Sequence, residues 1–319
     1  MDLPSSIQSI GKYAFRNCSL KKLVLKEGLQ TINEYAFYNS SIVEINIPST
    51  VTSIGSYAFF NLPFEKLIFP EIANISYIGP FAFSYLEYTN ITIPIGTTFI
   101  ADQSFRGSFI TNLTIPITLN DMGNWSFSDF QSDNFSIPKG IAKIDEYTFS
   151  SSDIKRITIP DTGIFIDTGS FMSSIINETF IPCYSTIGVS AFEDCENLTL
   201  MNMSSHSTIN QMAFYNCYSL TNITTEPDIM FTGNAFYNVT NVTIVHYGLI
   251  DFSTPETRRN FNSIVNNAYV QCCYRHKSIA YMKPKNYTVC NEFVSCYSNE
   301  KVNYRANYGF YAAMSLGLL

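Results

Sequence analysis

The sequence predicts a repeat solenoid: about eleven short coils, each laying one strand into a parallel sheet. Three observations predict it. A small residue followed by Phe recurs at Phe15, Phe37, Phe59, Phe83, Phe105, Phe127, Phe149, Phe171, Phe192, Phe214 and Phe236, with spacings of 22, 22, 24, 22, 22, 22, 22, 21, 22 and 22. A short alternating apolar strand begins eight residues after most of these Phe. Proline then closes the strand at Pro48, Pro70, Pro94, Pro116, Pro138, Pro160 and Pro182. Self-similarity at a period in the twenties is the leucine-rich-repeat regime, in which one repeat supplies one strand and neighbours bury a continuous core.

The stretch Ile45–Phe59, INIPSTVTSIGSYAF, shows the parts of one unit. Side chains alternate along a strand, so Ile45 and Ile47 point into the coil and Asn46 points out. Pro48 has no N–H to give a ladder and stops each strand at the same height. Val51 and Ile54, three apart, face inward. A short 3₁₀ or helical turn is expected next, bearing Ala58 and Phe59; the small residue admits the neighbouring coil and Phe fills the core. Leu67-Ile68-Phe69, Ile91-Thr92-Ile93, Leu113-Thr114-Ile115, Phe135-Ser136-Ile137 and Ile157-Thr158-Ile159 repeat the strand, and Leu23-Val24-Leu25 begins the series. Irregularity is expected at Glu71–Ile75, where the spacing gains two residues, at Thr179-Phe180-Ile181, which puts Thr inward, and at the late strands Met201-Asn202-Met203 and Ile223-Thr224-Thr225.

The expected architecture is therefore a leucine-rich-repeat solenoid over residues 1–245, of about eleven 22-residue repeats. A parallel sheet of about eleven short strands forms the concave face, and loops with short 3₁₀ or helical turns form the other. Residues 246–319 break the period and are expected to form an irregular C-terminal cap. Thr254-Pro255-Glu256 has the chemistry of a helix start, with Phe261, Ile264, Val265 and Ala268 on one face. Two strand-like segments, Ala268–Tyr274 and Tyr287–Tyr297, follow. Such a cap would cover the open apolar end and strand edge left at Val242–Val245.

Composition excludes several classes. Charged residues make up 14% of the chain and hydrophobic ones 46%, too apolar for disorder. No stretch approaches the ~18 uninterrupted apolar residues of a membrane span; the apolar end Tyr308–Leu319 reads as a buried or frayed tail, or the remnant of a truncated anchor. Residues 1–245 carry 11 Lys+Arg against 22 Asp+Glu, which argues against nucleic acid, while residues 246–319 carry 8 against 4, read as a solvated surface. Met1-Asp2-Leu3-Pro4 enters a repeat loop with no basic or apolar leader, so the chain reads as non-secreted, a fragment, or exported by another route.

Little here carries catalytic chemistry. The three histidines, His206, His246 and His276, sit in no nucleophile or zinc motif, and no phosphate-cradling glycine loop occurs. Cys18, Cys195 and Cys217 lie three residues after a repeat Phe and read as small core residues. Cys183 stands alone beside Pro182. The cluster Cys272, Cys273, Cys290 and Cys296 admits three readings: disulfides stapling the cap, a zinc site with His276, or reduced thiols. Fourteen Asn-x-Ser/Thr sequons occur. Those at Asn90, Asn112 and Asn134 share one offset in consecutive coils, where strands ~4.8 Å apart would bring three glycans into collision, so a stacked polar ladder is the better expectation. The same reasoning covers the turn residues Asn17, Asn39, Asn61, Asp129, Asp194, Asn216 and Asn238, expected to bond local backbone. Tyr13, Tyr35, Tyr57, Phe81, Trp125 and Tyr147 form an aromatic column two before the repeat Phe, read as mutual packing before a binding stripe.

The pattern IP-x2-V/I-x2-I-G-x2-AF-x2-C/S resembles the BspA-like class of leucine-rich repeats, over about residues 3–245. That class occurs on bacterial surfaces and in trichomonad-type protists, and the resemblance implies a surface antigen or adhesin binding host or matrix proteins. It brings no catalytic residues and no cofactor. The expected function is a non-enzymatic interaction and adhesion module with a protein or glycan partner. The alternative is an intracellular scaffold or regulator, and an enzyme is the remote third reading. Location is expected at the cell surface from the resemblance, or in the cytoplasm if the missing leader is genuine. The candidate partner-binding residues are the outward strand positions Asn46, Ile68, Thr92, Thr114, Ser136, Thr158, Phe180, Asn202 and Thr224. Small polar residues with few charges suit a broad partner better than a small-molecule pocket.

Overall fold

A computed structural model describes residues 1–73, 75–226 and 229–239, with the strand backbones 243–246, 269–272, 293–294 and 301–302. The strands alternate along the chain between two parallel ladders. The narrow ladder comprises two-residue strands: β1 (Ser9–Ile10), β2 (Thr31–Ile32), β4 (Ser53–Ile54), β6 (Tyr77–Ile78), β8 (Phe99–Ile100), β10 (Asp121–Met122), β12 (Lys143–Ile144), β14 (Phe165–Ile166), β16 (Thr186–Ile187), β18 (Thr208–Ile209) and β20 (Met230–Phe231). The wide ladder comprises β3 (Glu44–Asn46), β5 (Lys66–Ile68), β7 (Glu87–Thr92), β9 (Phe109–Thr114), β11 (Gln131–Ser136), β13 (Asp153–Thr158), β15 (Glu178–Ile181), β17 (Leu200–Met203), β19 (Asn222–Thr225), β21 (Thr243–His246) and β22 (Tyr269–Cys272). A separate antiparallel pair joins β23 (Phe293–Val294) and β24 (Lys301–Val302).

The expected single sheet is thus two. Ile54, Ile78, Ile100 and Ile144, expected only as inward residues, also pair in register with the next coil, and Met122 pairs with Ile100 of the coil before it; the narrow ladder is broken once, between β10 and β12. Leu23-Val24-Leu25 forms no strand: Val24 makes one isolated bridge, to Asp2, and the preceding Lys22 another, to Glu44. The wide ladder is not continuous: β3–β5, β7–β13 and β15–β22 are separate hydrogen-bonded blocks. The first break coincides with the two-residue insertion at Glu71–Ile75, and the second falls before β15, which carries the inward Thr179. β22 pairs in parallel with β21, so the wide ladder continues past residue 246. The helix expected after Thr254 and the four-cysteine cluster lie outside the described residues, except that the backbone of Cys272 ends β22.

The expected 3₁₀ or helical turn around the small-Phe pair does not form. Among the described residues there is neither α- nor 3₁₀-helix. The hydrogen bonds explain why. Tyr35 N donates to Ser56 O at 2.8 Å, Phe37 N to Ala58 O at 2.9 Å and Asn39 N to Phe60 O at 3.2 Å, all in the next coil. The amides between them turn back: Ala36 N donates to Asn33 O and Tyr38 N to Tyr35 O at 3.2 Å, and Ser40 N to Phe37 O at 3.0 Å. A helix needs every amide to bond within its own segment; here every second one is given to a neighbour. The residues two before and two after Phe37 also sit in the left-handed region, Tyr35 at φ 56° and Asn39 at φ 50°, so no right-handed run can propagate. The turn is therefore a third ladder linking the coils.

Inside, the repeat Phe rings stack face to face. Ten consecutive pairs, from Phe15–Phe37 to Phe214–Phe236, have centroids 5.0–5.5 Å apart and planes 5–14° apart. The residue before each Phe, from Ala36 onward, is buried. Ser104 Oγ there donates within reach of Gly79 O and Ala101 O, at 3.0 and 2.6 Å, so the hydroxyl costs no orphaned polar group.

Outside, the aromatic column packs on itself as expected: Tyr35–Tyr57 and Tyr57–Phe81 stack at 4.7 and 4.5 Å, and Trp125–Tyr147 at 4.3 Å. A left-handed L-residue costs about 1–2 kcal/mol and an aromatic pair returns about 0.5–1.5 kcal/mol, so stacking roughly offsets the backbone strain at these tyrosines. Gly169 ends this column at φ 59°; a Cβ there would lie 2.4 Å from the Tyr147 ring. The Asn residues two after Phe form a ladder of their own instead of bonding only local backbone. Asn39 Nδ2 donates to Asn17 Oδ1, Asn61 to Asn39, Asn216 to Asp194 and Asn238 to Asn216.

Candidate functional site

The wide ladder changes width along the solenoid. β7, β9, β11 and β13 are six residues long, against three in β3 and β5 and four in β15, β17 and β19. Each long strand follows the same course. Its first residue points out, the second in, the third lies at a skipped register position, the fourth points out, the fifth in and the sixth out, as in Gln131, Ser132, Asp133, Asn134, Phe135 and Ser136. Leu113 and Phe135 are buried beneath this face and fix its register, because a slip of one residue would turn them to solvent.

Three outward columns result. The expected column Thr92, Thr114, Ser136 and Thr158 is exposed and lies on one continuous sheet, with Thr92↔Thr114 and Ser136↔Thr158 in register. Beside it runs a second column, Asn90, Asn112, Asn134 and Arg156, with Asn90↔Asn112, Asn112↔Asn134 and Asn134↔Arg156 paired. Asn112 Nδ2 donates to Asn90 Oδ1 at 2.9 Å, the polar ladder expected from the aligned sequons. A third column holds Glu87, Phe109, Gln131 and Asp153. Sequence reasoning treated the second column only as sequons and missed the third; the signal for the second was the shared sequon offset, at which coil eight substitutes Arg156.

The other candidates lie on separate blocks. Asn46 and Ile68 pair on β3–β5, and Ile68 is 42% exposed. Phe180, Asn202 and Thr224 align on β15–β19; Phe180 is 48% exposed and the other two are half-buried.

Two depressions interrupt the central face. One, of about 240 Å³, lies across β9, β11 and β13 between Asn112, Thr114, Asn134, Ser136, Arg156 and Thr158. The Arg156 guanidinium is exposed and has no ion pair or hydrogen bond among the described residues, whereas the adjacent Lys155 is paired with Asp133. The other, of about 420 Å³, lies at the break between β5 and β7 and includes Glu65, Glu87, Tyr88 and Phe109. There Tyr88 Oη accepts from Leu67 N at 2.9 Å, replacing the missing strand-to-strand bond.

Lys22 bridges to Glu44, which also meets Lys66, at 2.8 and 3.6 Å; exposed pairs of this kind contribute little. Cys195 and Cys217 are buried, their thiols donating to Phe171 O and Phe192 O at 3.0 and 3.1 Å. Burial pushes the Cys195 thiol up to about 12, which keeps it protonated and unreactive. Cys18 is also free, and Cys183 is disulfide-bonded. The His206 ring stacks on Tyr184 at 4.8 Å. No group of His, Cys, Asp or Glu among the described residues could hold a metal ion, and those residues contain no helix long and apolar enough to cross a membrane.

The fold has solved counterparts. A leucine-rich repeat protein from Bacteroides ovatus ATCC 8483 is 18% identical, covering 91% of this chain and 82% of its own, with a TM-score of 0.52. The pneumococcal vaccine antigen PcpA is 18% identical over 84% of this chain and 76% of its own, with a TM-score of 0.48. A leucine-rich repeat protein from Eubacterium ventriosum ATCC 27560 is 21% identical over 72% and 73%, with a TM-score of 0.41. No curated protein matches the chain. The model of the BspA type leucine rich repeat region matches residues 1–100, 52–177, 130–243 and 166–274, so the chain belongs to the BspA type leucine rich repeat family.

Proposed function

We propose that this solenoid is a non-enzymatic interaction and adhesion module that engages a protein or glycan partner, of a host or its matrix, through the wide ladder. The observation that carries this reading is the four-strand platform β7–β13, the broadest continuous block of the ladder, with its outward residues free of the apolar core. Thr92, Thr114, Ser136 and Thr158 form its column at the strand ends, and Asn46, Ile68, Phe180, Asn202 and Thr224 extend it onto the flanking blocks. A broad face with polar columns and isolated exposed aromatics at Phe109 and Phe180 suits an extended partner, with the aromatics as anchors. Location at a cell surface is supported by the family.

The test is a triple substitution, Thr92→Arg, Thr114→Arg and Ser136→Arg, applied to beads that carry the solenoid. Immobilised matrix proteins and a mammalian glycan array are the targets. All three side chains project from the face, so the variant is expected to unfold at the wild-type urea midpoint and to lose capture at least tenfold. Capture equal to wild type would move the site to the aromatic flank or beyond residue 245.

A further inference from the structure

The 240 Å³ depression on β9, β11 and β13 differs from the rest of the platform in its chemistry. Its walls are amides and hydroxyls: Asn112 and Asn134 on one side, Thr114, Ser136 and Thr158 on the other. The side chain that closes the row is Arg156, at the position where the three preceding coils carry Asn90, Asn112 and Asn134. A guanidinium is a rigid planar fork whose paired N–H groups match a carboxylate. Here it has no acidic partner among the described residues, although Asp133 is nearby in sequence and is taken by Lys155. An unpaired fork beside a wall of small hydrogen-bonding groups is a receptor for one anionic group that also carries hydroxyls.

We propose that this depression is a subsite for the carboxylate-bearing sugar of an acidic glycan, a uronate or a sialate. The proposal rests on the reading of the platform as the binding face and names the ligand chemistry at its centre. Arg156 takes the carboxylate in a bidentate pair, and Asn134, Ser136 and Thr114 take the ring hydroxyls. Three features favour a sugar over an acidic side chain of a protein. The cavity walls present five amide or hydroxyl side chains for one cation, more hydrogen-bonding groups than a carboxylate alone can use. The cavity lacks the exposed aromatic or aliphatic anchor that centres a protein interface; Leu113 and Phe135 are buried beneath it. Its volume is below the ~300–1,000 Å³ of a whole small-molecule site, so it holds one unit of a longer chain. Charge sets the sub-class. Residues 1–245 have 22 acidic against 11 basic side chains, so the body repels densely sulfated polymers, while a single guanidinium suffices for a singly charged sugar.

Saturation-transfer NMR and titration with methyl glucuronide and methyl sialoside test it, on the full chain made in a bacterial host so that Asn112 and Asn134 stay bare. Methyl glucoside is the neutral control and a glutamate-rich peptide the protein control. At least one acidic glycoside is expected to bind at least tenfold more tightly than the glucoside, and Arg156→Gln to remove that difference. Ser136→Tyr, which fills the depression and leaves the guanidinium, is expected to weaken the acidic sugar by a similar factor. Equal binding of acidic and neutral sugars, unchanged binding by Arg156→Gln, or no sugar binding alongside capture of the peptide would each overturn the subsite. If neither acidic glycoside binds but the triple arginine variant still loses capture, the subsite fails and the platform stands. If Arg156→Gln loses the sugar while the triple variant keeps capture elsewhere, the platform reading fails for the larger partner and the subsite stands alone.

Discussion

The two ladders of this solenoid are made by the same coils and behave differently. The narrow ladder has two residues in every strand, breaks once, between β10 and β12, and its second residue is buried in every strand from β1 to β18. The wide ladder varies from three to six residues, breaks twice and carries the irregular positions. A narrow strand gives one of its two residues to the core and leaves one on the outer side. A six-residue wide strand carries three outward residues over two inward ones. What varies among the coils is therefore concentrated where variation does not disturb the stack, and the proposed binding face lies on that side.

The largest expected effect breaks what both ladders share. Phe127 is fully buried, stacked on Phe105 at 5.4 Å and Phe149 at 5.5 Å, and meets Phe130 and Phe135 edge-on. Phe127→Ala is expected to cost about 3–5 kcal/mol, read as a fall in the urea midpoint. A loss below 1 kcal/mol would mean that the ring stack is not the common support. Next comes the turn. Gly169→Ala forces a Cβ into the Tyr147 ring at φ 59° and is expected to cost about 1–3 kcal/mol by thermal melting, whereas the same change at Gly11, which meets nothing within 4 Å, should cost far less.

A smaller effect is expected at the seam of the wide ladder. Tyr88→Phe removes the hydroxyl that accepts from Leu67 N and should cost about 1 kcal/mol, with faster amide exchange at Leu67. Exchange unchanged there would show that the seam does not depend on Tyr88. The smallest lies on the face itself. Lys155→Ala removes a fully exposed partner of Asp133 and is expected to leave the urea midpoint unchanged. A clear shift would mean that the outward columns support the fold and are not free to vary.

The period, the inward residues and the phase of the strands were legible, because each is fixed by one apolar residue at a set distance from Phe. The turn was not. Val51 and Ile54, three apart before Ala58-Phe59, carry a helical spacing, and the feature that forbids the helix is a tyrosine at positive φ, for which local sequence has no mark. Tyr57 adopts φ 57° because Tyr35 and Phe81 lie against its two faces, a stabilisation that exists only between coils. The second ladder was missed for the same reason, since two-residue strands have no alternation to read. Of the site, the outer column was legible from Thr92, Thr114 and Ser136. The row ending in Arg156 was hidden, because its significance lies in departing from the three asparagines before it.

The turn ladder also decides how the chain responds to force. Coil is held to coil by up to three rows of hydrogen bonds and by one ring contact, and no strand pairs across more than one coil boundary in the described wide and narrow ladders. A pull applied to one end loads a single boundary at a time. The coils then peel in sequence, each releasing its 22 residues, on the order of 75 Å of extended chain. For a tethered molecule under flow, such stepwise lengthening would dissipate load while the remaining coils stay folded.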